Sequence, residues 1–194
     1  MALVGFKRMT IRVLDGNATP TLGQNLFVIE GKTGKGATRT AKISGLASDP
    51  VKSYGSDIAY YVSNRGVGDV KLEVTALDIP TEVLAKILGH TVKNDIIMVG
   101  SETSSPFCSV MLESKTPAGE MASIGFFKGQ FSMDGEDLET IKDKQEELAE
   151  DSLSFAAIAS DDAQTEGQYY CKYIGKDETK LKTFKGGLKM VDAG

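Results

Sequence analysis

Hydrophobic and polar residues alternate with a period of two along most of this chain, as in strands that bury one face and expose the other. Met9, Ile11 and Val13 interleave with Arg8, Thr10 and Arg12, and Val70, Leu72, Val74 and Ala76 interleave with Lys71, Glu73 and Thr75. The same pattern predicts strands at 26–30, 38–43, 58–62, 96–99, 107–113, 121–133, 152–160 and 168–174. Within 121–133 it assigns Phe127, Gly129, Phe131 and Met133 to one side and Lys128, Gln130 and Ser132 to the other. Residues with special backbone preferences separate these runs. Gly16, Asn17, Pro20 and Gly23 mark a loop at 15–24, the Gly- and Lys-rich segment 31–36 reads as a hairpin tip, and Gly45, Asp49-Pro50 and Gly55 break the segment 44–56. The strand at 58–62 is expected to pair with the one at 67–77 across Asn64-Arg65-Gly66.

One segment changes period. Residues 79–88 place Val83, Leu84, Ile87 and Leu88 on a single helical stripe, with Pro80 suited to the first turn, Asp78 to a cap and Gly89 to a left-handed stop. The fold class that follows is mainly β (α+β), a β-sandwich or barrel-like sheet with one packed helix. A length of 194 residues fits a single domain spanning 1–194. Two long interruptions stand out in it, an inter-strand loop at 44–57 and an acidic loop at 132–151.

Composition sharpens this picture in three ways. Hydrophobic residues at 41% and charged residues at 25% support a buried core and exclude a wholly disordered chain, while the lack of Trp points to an aromatic-poor interior. A net charge of −5 argues against tight binding of a polyanion through its phosphates. The charge is also unevenly spread. Residues 132–151 hold nine acids against two bases, whereas 172–189 hold six lysines (172, 176, 180, 182, 185 and 189) against Asp177 and Glu178. No apolar run approaches the roughly 20 residues of a membrane span, and the N-terminal pattern is not that of a signal peptide. Cys108 and Cys171 lie far apart without paired spacing, so neither a disulfide framework nor a zinc site is indicated and a reducing cytoplasm is the default setting.

Tests for chemistry return little. His90 is the single histidine, placed just past the helix stop, where a cation favours the helix dipole; it lacks the partners that a nucleophilic triad or zinc site needs. Gly31-Lys32-Thr33 resembles the end of a phosphate-binding loop, yet Leu26 occupies the position of its first Gly. Asp15-Gly16-Asn17 resembles the start of a calcium loop, but Leu26 again stands where a bidentate Glu is required. Gly66-Val67-Gly68 leads into a strand rather than a helix, so no dinucleotide site forms. Paired carboxylates in 132–151 fit acid–base chemistry or metal binding in principle, and a solvated loop by the usual behaviour of charge runs; 138–148 also fits one or two helical turns. No catalytic, cofactor-binding or metal-binding residue is assigned.

Several segments carry a further pattern: Ile43-Ser44-Gly45-Leu46-Ala47, Tyr54-Gly55-Ser56, Tyr61-Val62-Ser63, Gly66-Val67-Gly68-Asp69-Val70, and Leu77-Asp78-Ile79-Pro80-Thr81-Glu82-Val83-Leu84 running to Ile87-Leu88-Gly89. With Met1-Ala2-Leu3-Val4-Gly5-Phe6-Lys7 and Gly125-Phe126-Phe127-Lys128-Gly129-Gln130-Phe131-Ser132, their order and spacing resemble the major tail (tail tube) proteins of long-tailed, non-contractile bacteriophages of Gram-positive hosts. The resemblance covers residues 1 to about 133. It implies a virion structural protein with a tail tube fold, found in the virion tail and in the host cytoplasm during assembly. Subunits of such a protein form hexameric rings that stack into a tube, the conduit for genome ejection. The implied partners are other copies of itself, the tape-measure protein, tail terminator and initiator proteins, and viral DNA passing through the lumen without specific binding; no membrane and no cofactor are implied.

On that footing Asp49, Pro50, Lys52 and Tyr54, in the long segment between two strands, become candidates for an inter-ring loop. Asp134, Glu136, Asp137 and Glu139 become candidates for a lumen or subunit interface, where acidic charge keeps a polyanion from sticking. The alternative is a small-molecule or glycan-binding β-barrel, which normally gathers aromatic and polar residues round a pocket; the absence of Trp counts against it. An enzyme ranks third, because one histidine leaves few routes to acid–base catalysis.

Overall fold

The computed structural model describes residues 2–16, 19–136 and 150–191. Alternation makes strands where it was expected, and antiparallel pairing assembles most of them into one sheet. Its strands are β1 (Val4–Val13), β2 (Leu26–Ile29), β3 (Ala37–Ser44), β6 (Lys71–Leu77), β9 (Phe107–Lys115), β10 (Met121–Ser132), β11 (Glu150–Ile158) and β12 (Tyr170–Ile174). The order across the sheet is β2-β1-β9-β10-β11-β6-β3, with β12 pairing β10 beyond the end of β11. The sheet rolls on itself, so that Thr38 Oγ1 on β3 donates to the carbonyl of Phe6 on β1 at 2.8 Å. Between β3 and β6 lie β4 (Val51–Gly55) and β5 (Ile58–Ser63), and between β6 and β9 lie helix α1 (Thr81–Ile87) and the short strands β7 (Thr91–Lys93) and β8 (Ile96–Met98). Helix α2 (Glu178–Gly187) follows β12.

The rolled face encloses the main core. Met9 and Ile11, Leu72, Val74 and Ala76, Val110 and Leu112, and Leu153 and Phe155 arrive there by strict alternation on their strands. Strand β10 departs from alternation. Its register against β9 slips by one residue between Phe126 and Gly129, a β-bulge that reverses which side chains face inward. Phe126 and Phe131 therefore both enter the core, where each packs on Phe155 with ring centroids 6.0 and 4.8 Å away. Phe127, grouped with Phe131 by the sequence pattern, instead joins Met111, Phe184, Leu188 and Met190 on the opposite face.

That second face explains why β9 is buried on both sides. Asp177 caps α2 by accepting hydrogen bonds from the Thr179 and Lys180 amides, and the helix lays Phe184 and then Leu188 across the outer side of β9 and β10. Arg12 is fully enclosed beneath it. Its guanidinium donates to the carbonyl of Lys189 at 3.1 Å, to Asp15 at 3.0 Å, to the Asn25 carbonyl at 3.3 Å and to the Val13 carbonyl, so one side chain ties β1, the loop before β2 and the end of α2 together. Burial pushes the Asp15 carboxyl up, but hydrogen bonds from Asn25 and Arg12 outweigh it and leave the group below its ordinary value.

Four expectations need correction. The segment 31–36 closes a tight turn, with Gly31 N donating to Gly36 O at 2.8 Å, but the strands it joins do not pair: β2 pairs β1 and β3 pairs β6. The strand at 58–62 pairs with β4 rather than with β6, whose neighbours are β3 and β11. The segment 44–57 is consequently not all loop, since it contains β4. Helix α1 begins at Thr81 behind an N-cap Pro80, and Asp78 does not cap it; Asp151 from β11 instead accepts the Ile79 amide at 2.9 Å. The helical element expected at 79–88, its Gly89 stop in the left-handed region at φ +70°, and the mainly β class all hold. Residues 137–149, which include most of the acidic run and the possible helical turn at 138–148, lie outside the described residues.

Two predictions test this architecture. Arg12→Leu leaves buried backbone acceptors without their cationic donor and costs about 3 kcal/mol, seen as a lower urea midpoint at unchanged m-value. Burial, only partly opposed by the charge of Arg12, pushes the Cys108 thiol from 9.0 up to about 12. The unfolded chain then releases this proton first, so stability falls as pH rises above about 9, by about 1.4 kcal/mol per unit. Urea melts of the parent and of Cys108→Ala at pH 8 and pH 10 check this; the substitution removes that increment of the pH dependence.

Candidate assembly surfaces

Two ribbons leave the body of the molecule. The first, β4–β5, turns at Ser56 and Asp57, both at positive φ (52° and 62°), and the second, β7–β8, turns at Asn94 and Asp95 (50° and 60°). Paired left-handed residues in a two-residue turn match the twist of a hairpin. Each ribbon is its own two-stranded sheet, paired with no other strand.

The longer ribbon is exposed from Val51 through Val62 and carries Val51, Tyr54, Ile58, Tyr60, Tyr61 and Val62. Tyr54 and Tyr60 are 72% and 83% accessible. Ser53 stands opposite Tyr61 and Tyr54 opposite Ala59, so Tyr60 is an extra residue bulged out of β5. The bulge decides the two faces. Val51, Tyr61 and Ile58 share one, and Lys52, Tyr54, Ala59 and Val62 share the other. Apolar groups thus lie on both sides of a ribbon with no interior. A lone two-stranded hairpin is marginal in water, and each such side chain releases about 1.5–3 kcal/mol when covered. The shorter ribbon repeats the theme with Val92, Ile96 and Met98, followed by Val99, all exposed.

Glycines root both ribbons against backbone. Gly45 sits at φ +71°, accepts from Gly68 N at 2.9 Å, and has no room for a Cβ, which would fall 1.8 Å from Asp69 O. The Ser48 hydroxyl donates to Arg65 O at 2.8 Å and closes the neck above it. At the second root a Cβ on Gly89 would meet Ser104 O at 2.0 Å.

The residues singled out from the sequence divide accordingly. Asp49 and Pro50 lie exposed at the start of the first ribbon, while Lys52 and Tyr54 lie within β4. The β5 side of the same ribbon and the whole second ribbon were missed as surfaces, although the Tyr60-Tyr61-Val62 run and the Asn94-Asp95 turn were visible signals. Asp134 and Glu136 are exposed just past β10, on a groove shared with His90, Val99, Ser105 and Met133. Asp137 and Glu139 lie outside the described residues.

Among the described residues no three His, Cys, Asp or Glu side chains gather as a metal site would require, and no helix is long and apolar enough to cross a membrane. The interior of the rolled sheet is filled by Leu72, Phe126, Phe131, Leu153 and Phe155.

A filled, rolled sheet that holds out two uncovered ribbons defines a protein made to be covered by other protein, a structural subunit. The phage tail tube protein family matches residues 1–189, and the chain belongs to that family. It is a structural protein of the virion tail, where members of the family assemble with themselves and other tail proteins into the tube. No curated protein matches the chain.

The close approach at the root predicts a graded result. Gly66 also has positive φ (84°), but nothing lies within 4 Å of its hypothetical Cβ. Gly66→Ala should cost about 1 kcal/mol for conformation alone, and Gly45→Ala roughly 3 kcal/mol because the backbone must also move. Thermal melts of the two variants side by side measure the difference.

Proposed function

We propose that this chain is the major tail protein, the repeating subunit of a tube of stacked hexameric rings, in a long-tailed, non-contractile phage of a Gram-positive host. The tube encloses the tape-measure protein during assembly in the host cytoplasm, is bounded by initiator and terminator proteins, and conducts DNA at ejection without binding it specifically. One observation carries this reading: the β4–β5 ribbon has apolar side chains uncovered on both faces. A ribbon apolar on one side suits a surface to lie on, whereas one apolar on both sides suits insertion between two neighbouring copies.

In this reading the segment Asp49, Pro50, Lys52 and Tyr54 reaches the adjacent ring together with Ile58, Tyr60 and Tyr61. Asp134 and Glu136 face the lumen or a subunit boundary. Carboxylates on a lumen wall repel the phosphate backbone over about 8 Å at physiological salt, so DNA slides rather than adheres. The whole chain 1–194 acts as one unit, and no catalytic step is assigned to it.

Electron microscopy of the concentrated purified protein tests the reading: six-fold rings and striated tubes are expected, and a strict monomer that binds a small molecule or glycan would favour the barrel alternative. Excising residues 50–63 behind a two-glycine link removes the ribbon above its Ser48–Arg65 neck. The shortened subunit should remain folded, with a melting temperature within about 3 °C of the parent since the ribbon adds nothing to the core, yet form no tubes by sedimentation.

A further inference from the structure

We propose that successive copies meet head to tail through opposite charge at the two ends of β10, with Glu102, Asp134 and Glu136 of one copy against Lys115, Lys176 and Lys180 of the next. This inference rests on the tube reading above and adds to it the polarity and chemistry of the contact.

Strand β10 has 12 residues, about 40 Å from end to end. At its start Met121 lies opposite Lys115 and Ala122 opposite Ile174, so that Lys115, Lys176 and the first turn of α2 with Lys180 surround this end. All three lysines are exposed. Lys7 lies on the same groove as Lys115 and Lys176. Of the acids beside them, Asp177 is engaged in capping α2 and Glu113 is buried against Arg8, while Glu120 and Glu178 remain, fewer than the four lysines Lys7, Lys115, Lys176 and Lys180. At its other end β10 runs into Asp134 and Glu136, and the turn holding Glu102 lies on the same groove through Gly100 and Thr103.

Elsewhere several charges are matched within the chain: Lys128 with Asp161 at 2.5 Å, Lys189 with Asp162 at 2.6 Å, Lys42 with Glu73 at 3.0 Å and Arg39 with Glu150 at 2.6 Å. The Lys128 and Lys189 contacts hold the Asp161 and Asp162 carboxyls below their ordinary values. Lys115, Lys176, Lys180, Glu102, Asp134 and Glu136 make no ion pair with any described residue. Opposite signs left unmatched at opposite ends fit another copy of the same chain in the same orientation. The reversed orientation would set like against like. Such a contact is heterologous and does not close, so it propagates as a filament of fixed polarity. Each pair is individually weak, but six copies around a ring engage at once, which sets register and direction more than strength.

The test is a charge swap followed by sedimentation and electron microscopy of the full chain at 50 and 500 mM NaCl. The parent should form tubes, with yield falling at least several-fold at the higher salt. Lys115→Glu, Lys176→Glu and Lys180→Glu together should cut tube yield at least tenfold at 50 mM, and so should Glu102→Lys, Asp134→Lys and Glu136→Lys together. One chain carrying all six should recover to within about twofold of the parent. Melting temperatures monitor the fold; if a reversal set melts early, the Gln set at the same positions is used, and it should lose the salt dependence. Triple variants that assemble like the parent, or a folded six-site variant no better than the triples, would overturn the inference. A parent that builds no tubes under any condition overturns the tube reading, and the inference falls with it.

Discussion

A two-stranded ribbon has no interior. Its side chains project from two faces, and unless another layer covers each face, whatever it carries stays in water. The β4–β5 ribbon carries valine, isoleucine and tyrosine on both faces, and nothing else in the described chain lies over them. This constraint organises the molecule. The body must be stable without the ribbon, and the ribbon must be held in place without cover from any described residue. In the proposed tube that cover comes from other copies.

The body meets its part by burying both faces of one sheet. The bulge in β10 sends Phe126 and Phe131 to one side and Phe127 to the other, so the longest strand serves two cores. Helix α2 covers the second, and the enclosed Arg12 bonds across β1, the following loop and the end of that helix. Between them these contacts let a chain with no Trp complete a core from phenylalanine, leucine and methionine. The ribbons are then fixed at their roots, where Gly45 and Gly89 approach neighbouring carbonyls closer than any side chain permits. A rigid root and an uncovered tip are what a docking element needs, because less freedom is lost when it is finally buried.

Charge follows the same division of labour. Away from the ends of β10, several carboxylates and lysines neutralise one another within the subunit. Toward the two ends of β10 they do not, and the signs differ. Apolar ribbons supply cohesion with little sense of direction, whereas separated charge supplies direction with little cohesion. A polar filament needs both.

The class of the fold, most of the strands, the helical element at 79–88, the left-handed stop at Gly89 and the family are all legible in the sequence. These rest on local periodicity, on backbone preferences of single residues, and on the order of short segments, none of which depends on what lies across the sheet. Residues 177–188 also hold a local signal, with Asp177 as cap and Leu181, Phe184 and Leu188 on one stripe, that their run of lysines masked. Pairing was decided only in three dimensions. Alternation tells which face of a strand is buried but not which strand lies beside it, so it sets β5 beside β6 although its partner is β4, and reads 44–57 as a loop although that segment contains β4. The bulges at Phe126–Gly129 and at Tyr60 were equally out of reach, because one extra residue reverses a face without altering the composition around it. Which apolar groups end in the core and which wait for a neighbour is therefore a property of the register, set by contacts between residues far apart in the chain.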